Sequence, residues 1–195
     1  NNIELKKTNK SKVVTLHDII DILKNKVDIP LLSLDSSYIN KMEKILKETI
    51  IGQDKQIDEL LNISKINSLN YSKNKCISLL FAGSTGTGKT MLAKTYGKLI
   101  AGDMNVIKLD MSEYSEPHSI SKIIGAPPGY VGYSDSRNVL EEIKDKPTAV
   151  LILDEIERCN KSVLNLFLQI LDEGYTKDSL GRKIYFDNVT IIMTS

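Results

Sequence analysis

GSTGTGKT occupies residues 83–90, after a short apolar run and before a segment with helical spacing. The pattern GxxxxGK[ST] in that context is typical of a phosphate-binding loop. Its glycines let successive backbone N–H groups point at one phosphate, at the positive end of a helix dipole. Lys89 would reach the β- and γ-phosphates, and the Thr90 hydroxyl would ligate Mg²⁺. The nucleotide-contacting residues expected from this stretch are Gly83, Ser84, Thr85, Gly86, Thr87, Gly88, Lys89, Thr90 and Met91.

A second apolar run ends in two acids. Ala149–Leu153 leads directly to Asp154 and Glu155. Asp154 at a strand tip would hold Mg²⁺, and Glu155 would orient and deprotonate the attacking water. A strand that ends in Asp-Glu is by itself an ordinary solvated strand end. Beside a phosphate loop the pair predicts a hydrolysis site, with Glu155 and Lys89 catalytic and with Thr90 and Asp154 holding the metal.

The hydrophobic pattern predicts an α/β fold from Cys76 onward. Short apolar runs alternate there with helical segments, as in a parallel sheet with crossover helices. The predicted strands are Ile77–Ala82, Val106–Asp110, Ala149–Asp154 and Val189–Thr194. The predicted helices are Lys89–Ile100, Val139–Lys144 and Lys161–Leu171. The strands are expected to be buried on both faces. Val106–Asp110 is expected to intervene between the loop strand and the acid strand, which favours NTPases with a catalytic Glu over kinases and GTPases.

Residues 1–70 are predicted to be mainly helical. Residues 1–12 are polar and are expected to be a frayed end or a linker. Thr15 would cap a helix that ends before Pro30, and a second helix would cover about Ser36–Glu48. Gly52 would break that helix, and Asp54 would cap a third.

Composition bounds the remaining possibilities. The 195 residues carry 26 Lys+Arg against 25 Asp+Glu, and 41% are hydrophobic, which indicates a globular chain with no global attraction to nucleic acid or membranes. Its apolar runs are too short to span a bilayer, so no membrane partner is expected. Cys76 and Cys159 lie far apart and are expected to be buried, inert thiols in a reducing compartment. His17 and His118 are isolated and suggest no metal site.

A GTPase is the first alternative. Asn25-Lys26-Val27-Asp28 matches NKxD, and Asp178-Ser179-Leu180-Gly181 matches DxxG. The guanine-reading NKxD follows the phosphate loop in GTPases, whereas here it precedes the loop. Both matches are therefore interpreted as coincidences, and adenine is the expected base.

Two loops could contact a substrate. Gly129-Tyr130-Val131-Gly132 follows a Pro-Pro pair, and it is either a tight turn with a packed tyrosine or an aromatic paddle that grips polypeptide without reading its sequence. Lys177–Lys183 is polar and is either a surface hairpin or a second substrate contact.

The motifs GSTGTGKT, DMSEYSEPHS, GAPPGYVGY and LILDEIER occur in this order, and together they resemble the second ATPase module of the Clp unfoldases. The resemblance extends from about Val13 to Ser195, and GAPPGYVGY is its most specific part. Ser84 and Thr87 depart from the Pro and Val usual in the family's loop. Neither change removes a backbone N–H from the phosphate cradle.

The resemblance implies a three-layer P-loop AAA+ large subdomain with a parallel sheet, preceded by a helical extension. Residues 1–48 would be the linker from a preceding module, and 49–195 the nucleotide-binding subdomain, incomplete at its C-terminus. Ile50 and Ile51 would lie beside the adenine, Tyr130 would be the pore-loop aromatic, and Lys177–Arg182 would lie on a second pore loop. The implied cofactors are ATP or ADP and Mg²⁺.

The resemblance also implies partners. The complete protein would form a homo-hexamer that threads unfolded or tagged polypeptides, for a ClpP-type peptidase or for disaggregation, in a bacterial cytoplasm or an organelle stroma. The sensor Asn, Arg finger and lid of the family would follow Ser195, so the chain alone is expected to be monomeric and nearly inactive. An AAA+ motor on nucleic acid and an inactive scaffold are the alternatives. A motor on nucleic acid is disfavoured because the pore loop carries no basic residues. An inactive scaffold is disfavoured because the acids Asp154 and Glu155 are both present.

Overall fold

A computed structural model describes residues 36–69, 76–126, 138–146 and 148–195. The α-helices are α1 (Ser36–Thr49), α2 (Asp54–Leu69), α3 (Lys89–Ala101), α4 (Ile120–Ile124), α5 (Val139–Asp145) and α6 (Lys161–Glu173). The strands are β1 (Ile77–Phe81), β2 (Val106–Asp110), β3 (Val150–Asp154), β4 (Tyr175–Lys177), β5 (Lys183–Tyr185) and β6 (Thr190–Thr194). Short 3₁₀ turns cover residues 103–105, 111–114, 117–119 and 156–158.

Within the described residues, the main sheet has four parallel strands in the order β1-β6-β3-β2. Thr190 is in register with both Ile77 and Val150, because β6 lies between β1 and β3. Asp110 is in register with Asp154 at the carboxyl edge of β2 and β3. The carboxyl ends of all four strands therefore meet at one edge, where α/β folds place their ligands.

Helices cover both faces of the sheet. On one face, Val150, Ile152 and Ile192 share a hydrophobic cluster with α1, α2 and α3. On the other face, Leu151, Leu153 and Ile191 join a cluster that contains residues of α4, α5 and α6. This three-layer arrangement confirms the predicted α/β class with a parallel sheet.

The two central strands behave as predicted and the two edge strands do not. Every residue of β3 is buried, as is all of β6 except Met193. In contrast, Leu80 on β1 is 59% exposed, and β2 alternates between buried and exposed positions. The expectation of burial on both faces is therefore wrong for β1 and β2, since each has a neighbouring strand on one side only among the described residues.

The place of Val106–Asp110 also corrects the prediction. This strand lies between the loop strand and the acid strand in sequence, but in the sheet it is the outer neighbour of β3. The intervening strand is β6, whose predicted range began at Val189. The chain returns to the middle of the sheet after the α6 crossover, so sequence order could not give the spatial order.

Each predicted helix that lies in the described residues is present, and its observed ends differ from the predicted ends by at most two residues. α1 and α2 are the predicted second and third helices, while the helix expected between Thr15 and Pro30 lies outside the described residues. Asparagine caps begin two helices. Asn138 accepts from the backbone N–H of Glu141 at 3.0 Å, and Asn160 accepts from that of Ser162 at 3.0 Å. The division of the chain at residue 48 stays a prediction, and α1 shares its hydrophobic cluster with α2 and α3.

β4 and β5 form an antiparallel hairpin around Lys177–Lys183, as predicted, and a substrate contact by this hairpin stays a prediction. Its turn is closed by Asp178, whose carboxylate accepts from the Arg182 backbone N–H at 2.8 Å and from Arg182 Nε at 2.6 Å. The Ser179 backbone N–H donates to the Ile124 carbonyl at 2.9 Å. The hairpin turn is thus attached to the end of α4.

Two neighbouring side chains on α6 test the core assignment. Phe167 is 2% exposed within the cluster, whereas Leu168 is 54% exposed. We expect Phe167→Ala to lower the free energy of unfolding by about 3–5 kcal/mol, since a large cavity is left. Leu168→Ala should cost about 1 kcal/mol or less. Urea unfolding measures both, and equal losses would contradict the assignment.

Candidate functional site

The phosphate loop connects β1 to α3. Gly86 and Gly88 have φ values of 82° and 89°, a left-handed conformation that side-chain-bearing residues rarely adopt. Gly88 is the N-cap of α3 and offers no side-chain cap, unlike the asparagines of α5 and α6. The first N–H groups of α3 therefore have no capping side chain and are available to an anion.

The loop is also an open cradle. Among the described residues, no backbone carbonyl accepts from the N–H groups of residues 85–88. A Cβ placed on Gly86 would meet nothing within 4 Å. The Thr87 hydroxyl donates to the Ser84 carbonyl at 2.9 Å and so closes the loop upon itself. These features fit a bound phosphate.

Lys89 lies over the loop. Its Nζ donates to the carbonyls of Gly83 at 2.6 Å and Ser84 at 2.8 Å. The ammonium is thus held at the cradle by neutral acceptors and has no carboxylate partner there. A phosphate oxygen would offer it a charge-assisted hydrogen bond in place of a neutral one.

Thr90 and Asp154 meet across the sheet edge. The Thr90 hydroxyl donates to Asp154 Oδ1 at 2.6 Å, and the Thr194 hydroxyl donates to the same oxygen at 2.7 Å. Lys108 Nζ lies 2.6 Å from Asp154 Oδ2. The hydroxyl and carboxylate oxygens expected to hold Mg²⁺ are therefore adjacent, and oxygen donors are those that Mg²⁺ prefers.

The Asp154 carboxyl is held in its charged form. Burial by itself would raise its pKa, but hydrogen bonds from Lys108, Thr194 and Thr90 outweigh burial and lower the pKa below the ordinary aspartate value. A carboxylate that stays charged is the form required to attract a metal ion.

Glu155 has an unusual backbone. Its φ of 57° is the only positive value among the described non-glycine residues, a conformation that costs energy and is common at functional sites. Its N–H donates to the Thr194 hydroxyl at 3.0 Å. Its carboxylate accepts from Arg158 Nε at 2.9 Å, on the same short turn. The backbone of Glu155 is thus fixed by β6, and its side chain is held by Arg158.

The segment before α2 touches the loop. Ile50 is 4% exposed, and its Cγ2 would lie 3.9 Å from a Cβ on Gly88. Ile51 is 92% exposed, and Gln53 Nε2 donates to the Thr87 carbonyl at 3.2 Å. A cavity of about 560 Å³ opens beside Gln53, lined by α2, β1, the loop and the first turn of α3, and neither Ile50 nor Ile51 lines it. Met91 on α3 is 53% exposed and is not among its lining residues.

The site includes residues that the sequence analysis missed. Thr194 bridges Asp154 and Glu155, and Lys108 pairs with Asp154. Lys108 left a signal, because it is the one charged residue inside the run Val106–Leu109. Thr194 left none, since its importance depends on β6 lying beside β3. Gly129, Tyr130, Val131 and Gly132 lie outside the described residues.

The two cysteines are half-buried, so the expectation that both are buried is wrong. Burial raises the pKa of the Cys76 thiol to about 12, and burial also raises the pKa of the Cys159 thiol above its ordinary value. Both shifts disfavour the reactive thiolate. In the described part of the chain, no group of three or more His, Cys, Asp or Glu residues could hold a metal ion. Within the same residues, no helix has both the length and the apolarity needed to cross a membrane.

Three features together define a P-loop NTPase domain. They are the open phosphate loop after β1, the strand β3 that ends in Asp154, and the strand β6 that lies between β1 and β3. A profile of the family described as AAA domain (Cdc48 subfamily) matches residues 74–195. The chain belongs to this family, a family of nucleotide-binding domains.

The curated relatives agree with the resemblance to Clp proteins. The chain is 41% identical over 193 residues to Chaperone protein ClpB of Aquifex aeolicus, which covers 95% of the chain and 19% of the relative. It is 43% identical over 188 residues to Chaperone protein ClpB of Mycoplasma genitalium, a match that covers 93% of the chain and 26% of the relative. It is 40% identical over 189 residues to the ATP-dependent Clp protease ATP-binding subunit ClpE of Lactococcus lactis, a match that covers 94% of the chain and 25% of the relative. The chain thus spans about a fifth to a quarter of the length of these relatives.

The lowered pKa of Asp154 predicts how the free energy of unfolding depends on pH. Its contribution to stability is fully present above the unfolded pKa of about 3.9 and is lost as pH falls through the lower folded pKa. We expect Asp154→Asn to be less stable than wild type at pH 7, with the gap narrowing as the pH falls towards 3. Urea unfolding across this range measures the gap.

Asp103→Asn is the matched control, because Asp103 forms an exposed pair with Lys98 at 2.8 Å. Its stability should follow the wild-type pH profile. A gap between wild type and Asp154→Asn that is constant from pH 7 to 3 would show that the network around Asp154 does not favour its charged form.

Proposed function

We propose that this chain is the ATP-binding and ATP-hydrolysing motor module of a Clp-type protein unfoldase. The observation that carries the proposal is the contact between Thr90 and Asp154 at 2.6 Å beside an uncapped α3 N-terminus. This contact brings together, at the end of the phosphate loop, the hydroxyl and the carboxylate that would hold Mg²⁺ in a P-loop NTPase.

In this proposal the loop N–H groups and Lys89 bind the β- and γ-phosphates. Lys89 would exchange the carbonyls of Gly83 and Ser84 for phosphate oxygens, which are stronger acceptors. Thr90 and Asp154 would hold Mg²⁺, which supplies charge neutralisation on the phosphates when bound. Ile50, which lies against Gly88, and the exposed Ile51 after it would contact the adenine.

Glu155 would act as the base that orients and deprotonates water. Its αL backbone and its hydrogen bond to Thr194 place the side chain at the carboxyl edge of the sheet. Hydrolysis requires Glu155 to exchange Arg158 for a water molecule. Because this ion pair is half-exposed, with side-chain exposures of 60% and 42%, the exchange costs little.

The proposed substrate is a polypeptide, because the relatives are Clp proteins and because the sequence contains the segment Gly129–Gly132. A ClpB chaperone and a Clp protease ATP-binding subunit are the kinds of protein that the chain resembles over nearly its whole length. Unfolded or tagged polypeptides, a homo-hexameric complete protein and a ClpP-type peptidase follow from that resemblance, as does a bacterial cytoplasm or an organelle stroma. Tyr130, between Gly129 and Gly132, would grip the polypeptide.

A motor on nucleic acid is the second candidate. It would need a basic surface on the loops that face the substrate. The segment Gly125–Tyr133 contains no Lys or Arg. The hairpin carries Lys177, Arg182 and Lys183, of which Arg182 is paired with Asp178. The absence of basic residues from Gly125–Tyr133 therefore favours polypeptide.

Loss of fluorescence from a stably folded, tagged reporter tests the substrate in the complete protein. We expect Tyr130→Ala to hydrolyse ATP within about threefold of the wild-type rate but to unfold the reporter at least about tenfold more slowly, since only the grip is lost. Tyr133→Ala is the matched control. Glu155→Gln should abolish both activities. Unfolding by Tyr130→Ala at the wild-type rate would contradict the role of Tyr130.

Thr194→Val tests the positioning of the acids. Valine keeps the shape but removes both hydrogen bonds, to Asp154 and from the Glu155 N–H. We expect kcat for ATP to fall about tenfold or more, with nucleotide affinity nearly unchanged, because the phosphate loop is untouched. Thr194→Ser should retain most activity. A loss of affinity without a loss of kcat would contradict this role.

A further inference from the structure

Lys108 has an unexpected place in the site. It lies on β2 in register with Ile152, whose side chain packs in the cluster that contains α3, and its Nζ lies 2.6 Å from Asp154 Oδ2. Asp154 is largely buried, with a side-chain exposure of 10%, whereas Lys108 is partly exposed, with a side-chain exposure of 31%. A protein cation therefore occupies one oxygen of the carboxylate expected to hold Mg²⁺.

The other oxygen of that carboxylate is also engaged. Thr90 and Thr194 both donate to Asp154 Oδ1, so the carboxylate carries hydrogen bonds on both oxygens. Among the described residues, Asp110, in register with Asp154, forms no ion pair with Lys108 within 4 Å, although its carboxylate is close enough to interact with the Lys108 charge. Its carboxylate instead accepts from the Ser112 N–H at 3.0 Å and the Ser112 hydroxyl at 2.6 Å.

Two consequences follow from electrostatics. A largely buried carboxylate without a counter-charge is costly, so Lys108 stabilises the site when no metal is present. The same positive charge repels a divalent cation that approaches Asp154, and this repulsion is strong at short range inside a protein. Lys108 thus helps to form the site and weakens its attraction for metal.

We propose that Lys108 is a positioning residue that acts as the resident counter-cation of the magnesium site. It holds and neutralises Asp154 until Mg²⁺ arrives with the nucleotide, and it thereby sets the Mg²⁺ concentration at which the nucleotide is retained. This inference rests on the proposed function, because it assigns Mg²⁺ to Asp154.

The test is a Mg²⁺ titration of nucleotide binding in the complete protein, followed by the fluorescence of a labelled ADP. Lys108→Met keeps the aliphatic stem and removes the charge. We expect its half-saturating Mg²⁺ concentration to fall about fivefold or more. Lys108→Arg should stay within about twofold of wild type, because it keeps the charge.

A second readout separates this role from a purely structural one. The thermal midpoint in EDTA should fall for Lys108→Met, and Mg²⁺ with ADP should restore it towards the wild-type value. Lys98→Met is the matched control, since Lys98 pairs with Asp103 at 2.8 Å at the far end of α3. It should leave the half-saturating Mg²⁺ concentration unchanged.

The outcomes distinguish the two proposals. If wild type and all variants bind nucleotide with the same half-saturating Mg²⁺ concentration, the role of Lys108 is overturned and the nucleotide site stands. A higher requirement in Lys108→Met would also overturn it, because Lys108 would then assist metal binding. If the wild type binds no nucleotide, both proposals fail.

Discussion

The hydrogen bond between the Thr90 hydroxyl and Asp154 is the contact on which the rest of the site depends. It joins the first turn of α3 to the end of β3, across a sheet edge that β6 completes. Because Thr194 donates to the same oxygen, the relative positions of three elements are fixed at one carboxylate. The hydrophobic layers on the two faces of the sheet support this edge, since β3 is buried along its whole length.

The site is built largely in advance of any ligand. The left-handed glycines hold the phosphate loop open, and the uncapped α3 N-terminus leaves donors for an anion. Three side chains are held by partners that binding or hydrolysis would have to replace. Lys89 donates hydrogen bonds to loop carbonyls, Glu155 forms an ion pair with Arg158, and Asp154 forms an ion pair with Lys108. Binding in such a site exchanges one set of polar contacts for another, which limits the cost of reorganisation.

The fold was predictable because it rests on local signals. The loop GSTGTGKT, the apolar strands and the Gly52 break specify elements whose observed ends differ from the predicted ones by one or two residues. The strand order was not predictable from these signals, because the position of β6 between β1 and β3 depends on packing between segments far apart in sequence. The role of Thr194 is not predictable for that reason. Lys108 interrupts an apolar run, but its partner Asp154 lies on another strand, so sequence does not indicate the pairing. Tyr130 remains a prediction that the described residues do not reach.

A structure of this chain with Mg²⁺ and a non-hydrolysable ATP analogue tests the central claim most directly. The account predicts that the backbone of residues 83–90 stays within about 1 Å of its present course, as expected for a pre-formed site. It also predicts that Lys89 Nζ leaves the carbonyls of Gly83 and Ser84 for the phosphates, with Mg²⁺ beside Thr90 and Asp154. A nucleotide bound elsewhere, or a phosphate loop that refolds around it, would contradict the account.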